Sequence, residues 1–147
     1  MDIIKANLHN LSDVARLFDL YRQFYDCPPD LNLATRFIKD RMEHSESDIF
    51  LAIDGNSARG FVQLYPSFCS VQAVKIYILY DLFVDEDHRN SGLGEKLMNT
   101  ASQWATENNA ARLDLLTANT NKIGQHLYEK LGYKRVHDNF FAYSLAL

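Results

Sequence analysis

The six residues Arg89 to Gly94, reading RNSGLG, have types and a spacing that could do chemistry, and that chemistry is the binding of an anion. They follow an apolar run ending at Val84 and open an amphipathic pattern with helical spacing. The first turn of a helix has backbone N–H groups without intrahelical partners, and the macrodipole places partial positive charge there. A phosphate satisfies both. Gly92 and Gly94 lack a Cβ, so an oxyanion can come close to the main chain, and the turn can take dihedrals closed to other residues. Arg89 adds a fixed positive fork. The spacing RxxGxG by itself serves equally well as a mere turn after a strand, so the elements around it must decide.

Those elements follow from hydrophobic period. Ile3 and Ile4 suggest a short first strand. Ser12 and Asp13 offer caps for a helix carrying Val14, Leu17, Phe18, Tyr21 and Phe24 on one face and ending near Tyr25. The segment Asp26-Cys27-Pro28-Pro29-Asp30 breaks it, because proline lacks a donor and biases its predecessor towards extended backbone. A second helix is expected from about Leu33 to His44, with Phe37, Ile38, Arg41 and Met42 in its pattern. The period then changes: Ile49 to Ile53 reads as a buried strand, Asp54-Gly55-Asn56 as a turn, and Gly60 to Tyr65 as the returning strand of a hairpin. After a turn containing Pro66, the run from Ala73 to Val84 is long, β-branched and aromatic, with Asp81 near its end, and reads as a central strand. The helix opened by the glycine turn extends to about Asn108, with Asn108-Asn109 as a left-handed stop. Leu113 to Thr117 is a further strand, and Asn121 to Leu131 a helix ended by Gly132. The tail from Tyr133 to Leu147 offers two short strands around His137-Asp138-Asn139. This order predicts a mixed sheet covered by helices, an α/β (α+β) fold of one domain spanning residues 1–147.

Composition narrows the function classes. A chain of 147 residues that is 47% hydrophobic and 12% aromatic can bury a core unaided. A formal charge of −4 argues against a nucleic-acid partner while leaving room for a local basic pocket around a phosphorylated cofactor. No apolar run approaches the roughly 20 residues needed to cross a bilayer, so no membrane partner and a cytoplasmic location are expected. Cys27 and Cys69 form no CxxC and read as reduced thiols, and the sequon at Asn10 carries little weight without secretion. His9, His44, His88, His126 and His137 show no ligand spacing, so no metal is expected. Walker A, GxGxxG and GxSxG motifs are missing, which takes the motifs from kinase-like, dinucleotide and serine-hydrolase readings.

RNSGLG after YDLFVDEDH, followed by NKIGQHLYEKLGY, resembles the GNAT superfamily of acyl-CoA-dependent N-acetyltransferases. The two blocks span roughly the second half of the chain, and the element order of the first half matches that fold, a mostly antiparallel sheet with helices on both faces. The resemblance implies acetyl-CoA or coenzyme A as co-substrate, its pyrophosphate wrapped by Arg89, Asn90, Ser91, Gly92, Leu93 and Gly94 with help from the Glu95 amide. It implies that the strand edge Leu82-Phe83-Val84 pairs with the pantetheine arm, much as a peptide adds to a sheet. It also implies that Asn121 contacts the cofactor, that Lys130 reaches a phosphate, and that Tyr128 is the general acid for the departing thiolate. Asp81, at the end of the long strand, is the candidate base or binder of a cationic substrate, provided burial raises its pKa or water links it to solvent. The acceptor amine, a small molecule or a peptide, is expected against Tyr25, Asp26, Tyr80, Asp81 and Phe141. Tyr80 stands where the polyamine-acetylating branch often has an acidic residue, which argues against a polyamine. The competing classes are a noncatalytic acyl-CoA-binding sensor module and, further off, a generic phosphate-binding domain. Edge strands near the carboxyl terminus are compatible with a homodimer.

Overall fold

Alternating side chains along Asp48–Asp54, strand β2, decide how the structure is layered. Ile49 and Leu51 point one way and join Val14, Leu17, Ile38, Ala58 and Phe61 in the main apolar cluster. Phe50 points the other way, and its ring meets Trp104 edge-on with centroids 5.6 Å apart. All three of these β2 side chains are buried, so the strand needs cover on both faces. Helices α1 (Leu11–Phe24) and α2 (Leu31–Glu43) supply it on one side and α3 (Leu93–Glu107) on the other.

The computed structural model describes all 147 residues, in two units, Met1–Leu116 and Thr117–Leu147. The first holds the whole sheet: β1 (Asp2–Lys5), β2, β3 (Ser57–Cys69), β4 (Val74–Val84) and β5 (Leu113–Leu115), in the order β1-β2-β3-β4-β5. Every neighbouring pair is antiparallel except β4 and β5, which run parallel through the crossover that contains α3. This is the mixed, mostly antiparallel architecture expected from the sequence. Gly55, at φ 60°, makes the tight turn between β2 and β3. No helix is long and apolar enough to cross a membrane.

All four α-helices stop the same way. The residue after each cap lies in the left-handed region: Asp26 (φ 63°), Ser45 (51°), Asn109 (62°) and Gly132 (92°). In α3 the Ala110 amide donates to the Ala105 carbonyl and the Asn109 amide to Thr106, at 3.0 and 3.1 Å, the paired bonds that satisfy a helix's last carbonyls. The stop read at Asn108-Asn109 therefore has a physical cause.

Several boundaries differ from the sequence reading. Helix α1 starts at Leu11, before Ser12 and Asp13: Asn7 caps a 3-10 turn over Leu8–Asn10, exchanging side-chain bonds with the His9 amide and with Asn10, and that turn runs straight into the helix. Helix α2 starts at Leu31 because the Asp30 carboxylate accepts the Leu33 amide at 3.1 Å. Strand β3 does not turn at Pro66 but continues to Cys69. Pairing with β2 ends at Leu64, so beyond it β3 bonds to β4 alone, and the donor that Pro66 lacks would have faced no partner. The tail carries no strands: residues 133–147 hold only the turn at His137-Asp138-Asn139, closed by the Phe140 amide on the His137 carbonyl at 3.2 Å. Alternation supplies a face, but a strand also needs a neighbour's main chain, and no ladder reaches this segment. Phe141, Tyr143, Leu145 and Leu147 are all exposed.

Gly60 fixes how closely β3 approaches β4 and α3. A Cβ there would lie 2.9 Å from the Phe83 carbonyl oxygen and 3.2 Å from Leu97 Cδ1. Gly60→Ala should therefore force the main chain apart and cost about 1–3 kcal/mol, the usual cost of overpacking. A thermal melt should show this as a fall of several degrees, roughly 2–4 °C per kcal/mol for a chain near this size. An unchanged Tm would show that the two strands yield freely.

Candidate active site

A β-bulge builds the cleft. The register of β3 on β4 pairs Gln63 with Asp81 but Leu64 with Leu79, leaving Tyr80 as an extra residue with no opposite number. Such an insertion bends the strand and re-aims side chains. Tyr80 and Asp81, consecutive in sequence, therefore line one and the same cleft of about 380 Å³, together with Phe18, Phe37, Arg41 and Tyr65. Phe18 stacks on Phe37 at 5.4 Å, while Tyr65 meets Tyr80 edge-on at 5.2 Å, giving the cleft two aromatic walls.

The carboxylate at its floor is buried, with Asp81 only 8% exposed. Burial pushes its pKa above the ordinary aspartate value, opposed by hydrogen bonding from Gln63 and Tyr21 to the ionised form. Gln63 Nε2 donates to Asp81 Oδ2 at 2.5 Å, and the fully buried Gln63 accepts from Ser47 Oγ through Oε1 at 2.8 Å. Ser47 thus fixes which end of the amide faces the carboxylate. Tyr21 donates its hydroxyl to the Tyr80 carbonyl at 3.1 Å, an oxygen next to the bulge. Burial and the Asp81 charge push the Tyr21 phenol far above its ordinary range, and the same two causes raise Tyr65 to about 12. Both tyrosines stay neutral donors at any physiological pH.

Strand β4 has a bare edge next to this cleft. Its parallel pairing with β5 covers Tyr77, Ile78 and Leu79 only, whereas pairing with β3 continues to Val84. From Tyr80 onward the outer edge of β4, including Leu82, Phe83 and Val84, meets no strand, which leaves main-chain groups for an extended ligand.

The RNSGLG turn follows at once. Asn90 (φ 59°) and Gly92 (φ 81°) both take left-handed backbone, and Gly92 is the N-cap of α3 with no side-chain cap bond. The first amide bonded back to this cap is that of Lys96, on the Gly92 carbonyl at 3.1 Å, so the amides of Leu93 and Gly94 precede the helical ladder. A Cβ on Gly92 would meet nothing within 4 Å, so space over this turn is open. Ser91 Oγ donates to the His88 carbonyl, and Arg89 Nε to the Val84 carbonyl at 3.0 Å. The Arg89 guanidinium also lies over the Phe83 and Phe24 rings, at 5.4 and 5.8 Å. Arg89 therefore shapes the turn as well as charging it.

In the second unit, α4 (Lys122–Lys130) presents the other expected residues. Asn121 caps it, with Oδ1 accepting the Gly124 amide at 3.1 Å while Nδ2 donates to Thr117 Oγ1 at 3.0 Å. A side chain at Gly124 would collide with that cap. Gly132 ends the helix, the Tyr133 amide donates to the Tyr128 carbonyl at 3.0 Å, and the rings of Tyr128 and Tyr133 sit 6.1 Å apart. Tyr128 is thus anchored through its own carbonyl and ring, and Lys130 occupies the final turn.

Of the expected acceptor contacts, Tyr80 and Asp81 meet in the cleft. Tyr25 stacks edge-on against Tyr21 at 5.1 Å, just past the end of α1, and Asp26 forms the left-handed stop of that helix, both exposed. Phe141 lies in the second unit and is exposed. Sequence reading missed Ser47 and Gln63 altogether and took Phe18, Tyr21, Phe37 and Arg41 for parts of helical patterns. One signal pointed to Gln63: it is an uncharged polar residue inside the otherwise apolar run Phe61 to Tyr65.

Comparison with known proteins identifies the family. An uncharacterized N-acetyltransferase of Bacillus subtilis, YhfO, is 41% identical over 134 residues, covering 91% of this chain and 90% of that protein. A probable acetyltransferase of Haemophilus influenzae is 32% identical over 114 residues, covering 77% and 78%. A crystal structure of a probable acetyltransferase superposes with a TM-score of 0.92 at 34% identity, covering 100% of this chain and 98% of that one. The model of the acetyltransferase (GNAT) family matches residues 14–133, and with these relatives it establishes that the chain belongs to that family and is an acetyltransferase.

Proposed function

We propose that the chain moves an acetyl group from acetyl-CoA to a primary amine by direct attack, with both substrates held at once. The observation that carries this reading is a buried carboxylate on a bulge, inside an aromatic cleft, where β4 parts from β5. The residues present fit coenzyme A. Open space over Gly92 and the uncapped first turn of α3 suit a diphosphate held by residues Arg89 to Glu95, and the bare edge Leu82-Phe83-Val84 suits a pantetheine amide chain. Asn121 and Lys130 complete the proposed cofactor contacts. The bound cofactor supplies an activated acyl carbon and a thiolate leaving group.

The chain's own residues handle the protons. An alkylammonium with pKa near ~10.4 is free base in only about one molecule in a few thousand at neutral pH. Asp81 accepts the excess proton, directly or through one water, and its raised pKa makes it a better acceptor than an exposed aspartate. Gln63 and Ser47 hold the carboxylate in place between the aromatic walls. A main-chain amide at Leu82 or its neighbour polarises the carbonyl under attack. Tyr128 returns a proton to the thiolate. Tyr25, Asp26 and Phe141 complete the proposed acceptor contacts.

An amine panel with detection of free thiol tests the reading. Thiol should appear in step with acetylated amine for at least one acceptor. If none is acetylated while acetyl-CoA still raises Tm with rising concentration, the cleft serves as an acyl-CoA sensor.

A further inference from the structure

We propose that the acceptor is a primary amine carrying a carboxylate on an apolar body, with Asp81 taking the amino end, Arg41 the carboxylate, and the aromatic walls the body between. This rests on the transferase reading and names its substrate class. Two opposite charges line one cleft: Asp81 from β4 and Arg41 from the last turn of α2. Both line the same cleft as Tyr65, whose hydroxyl is raised by Asp81 and lowered by Arg41.

Arg41 is held ready for an anion. Its Nε donates to Glu46 Oε1 at 3.2 Å, and its guanidinium lies over the Phe37 ring at 4.4 Å, which fixes the plane of the fork. The two terminal nitrogens make no hydrogen bond within the chain, although the side chain is only 23% exposed. A guanidinium has five donors in a rigid fork and can serve Glu46 and a second carboxylate together. Phe18, Phe37, Tyr65 and Tyr80 offer no charge to anything bound between Arg41 and Asp81. A diamine would place its second cation against Arg41, so the same residue that welcomes a carboxylate rejects a polyamine.

Matched acceptors test this. One series is 4-(aminomethyl)benzoate, its amide and benzylamine; another is 6-aminohexanoate, its amide and pentylamine; 1,5-diaminopentane stands for the polyamines. Within at least one series the carboxylate should have a kcat/KM at least tenfold above both neutral partners, and the diamine should fall below pentylamine. Arg41→Gln should bring the carboxylate-to-amide ratio to within about twofold of one, and Arg41→Lys, which keeps the charge without the fork, should give an intermediate ratio. Ratios near one in every wild-type series, or a ratio that survives Arg41→Gln in a folded variant, would overturn the proposal. Titration calorimetry of the same amines without acyl donor separates the two readings. If nothing is acetylated, the transferase reading fails, and tighter binding of a carboxylate than of its amide, lost in Arg41→Gln, still upholds the anion subsite; equal binding sinks it.

Discussion

Asp81→Asn should lower kcat/KM for the amine by about a hundredfold or more, within the usual range for loss of a positioned proton acceptor. The substitution is nearly isosteric, and the new side-chain oxygen can still accept from Gln63 Nε2, so the cleft should keep its shape. The pH profile separates loss of a base from loss of binding. In the wild type, activity should rise through an acidic limb that lies above the ordinary aspartate range, because burial disfavours the ionised form. That limb should vanish in Asp81→Asn. Stability carries the opposite sign. A carboxyl whose folded pKa is raised favours the fold below its unfolded pKa, and that contribution is lost as pH rises through the folded value. The Asn variant escapes this loss, so it should melt no lower than wild type above neutral pH, with the difference shrinking towards acid. A variant with the wild-type pH profile would remove Asp81 from the chemistry.

Tyr128→Phe should reduce turnover at least tenfold and leave acetyl-CoA affinity unchanged. A phenol near pKa ~10 donating to a thiolate near ~8.5 moves a proton uphill by about 2 kcal/mol, which a positioned hydrogen bond tolerates and bulk water at neutral pH supplies poorly. Phenylalanine is the right probe because Tyr128 also supports the fold, with its ring packed on Tyr133 and its carbonyl accepting the bond that closes α4. Phe keeps both, whereas Ala would confuse the two roles. Full turnover by a folded Tyr128→Phe would assign the proton to another donor.

Much of this was legible in the chain because some residues carry their own backbone chemistry. Gly132 and Asn109 announced helix ends, since left-handed dihedrals are costly for most side chains and cheap for these two. Asp26 and Ser45 do the same work without announcing it, yet the ends of α1 near Tyr25 and of α2 near His44 were read to within a residue. Pro66 misled because its meaning depends on where β2 stops, a fact that lies in another segment. The tail misled for a related reason: alternation from Phe141 to Leu147 describes a strand's faces and says nothing about a pairing partner. At the site, RNSGLG was visible because its glycines are local requirements. The Ser47-Gln63-Asp81 chain was not, because it joins residues 16 and 18 positions apart through a register that no single segment encodes.

The unpaired Tyr80 has an evolutionary side. Gln63 opposite Asp81 and Leu64 opposite Leu79 would be ordinary neighbours if one codon were missing, so the ladder could lose that tyrosine without any other β4 side chain changing sides. A lineage could in this way widen or narrow the entrance to its cleft by a single in-frame gain or loss while the carboxylate stayed where it is. Substrate preference in such a scaffold can drift quickly over descent, even as the surrounding sheet hardly changes.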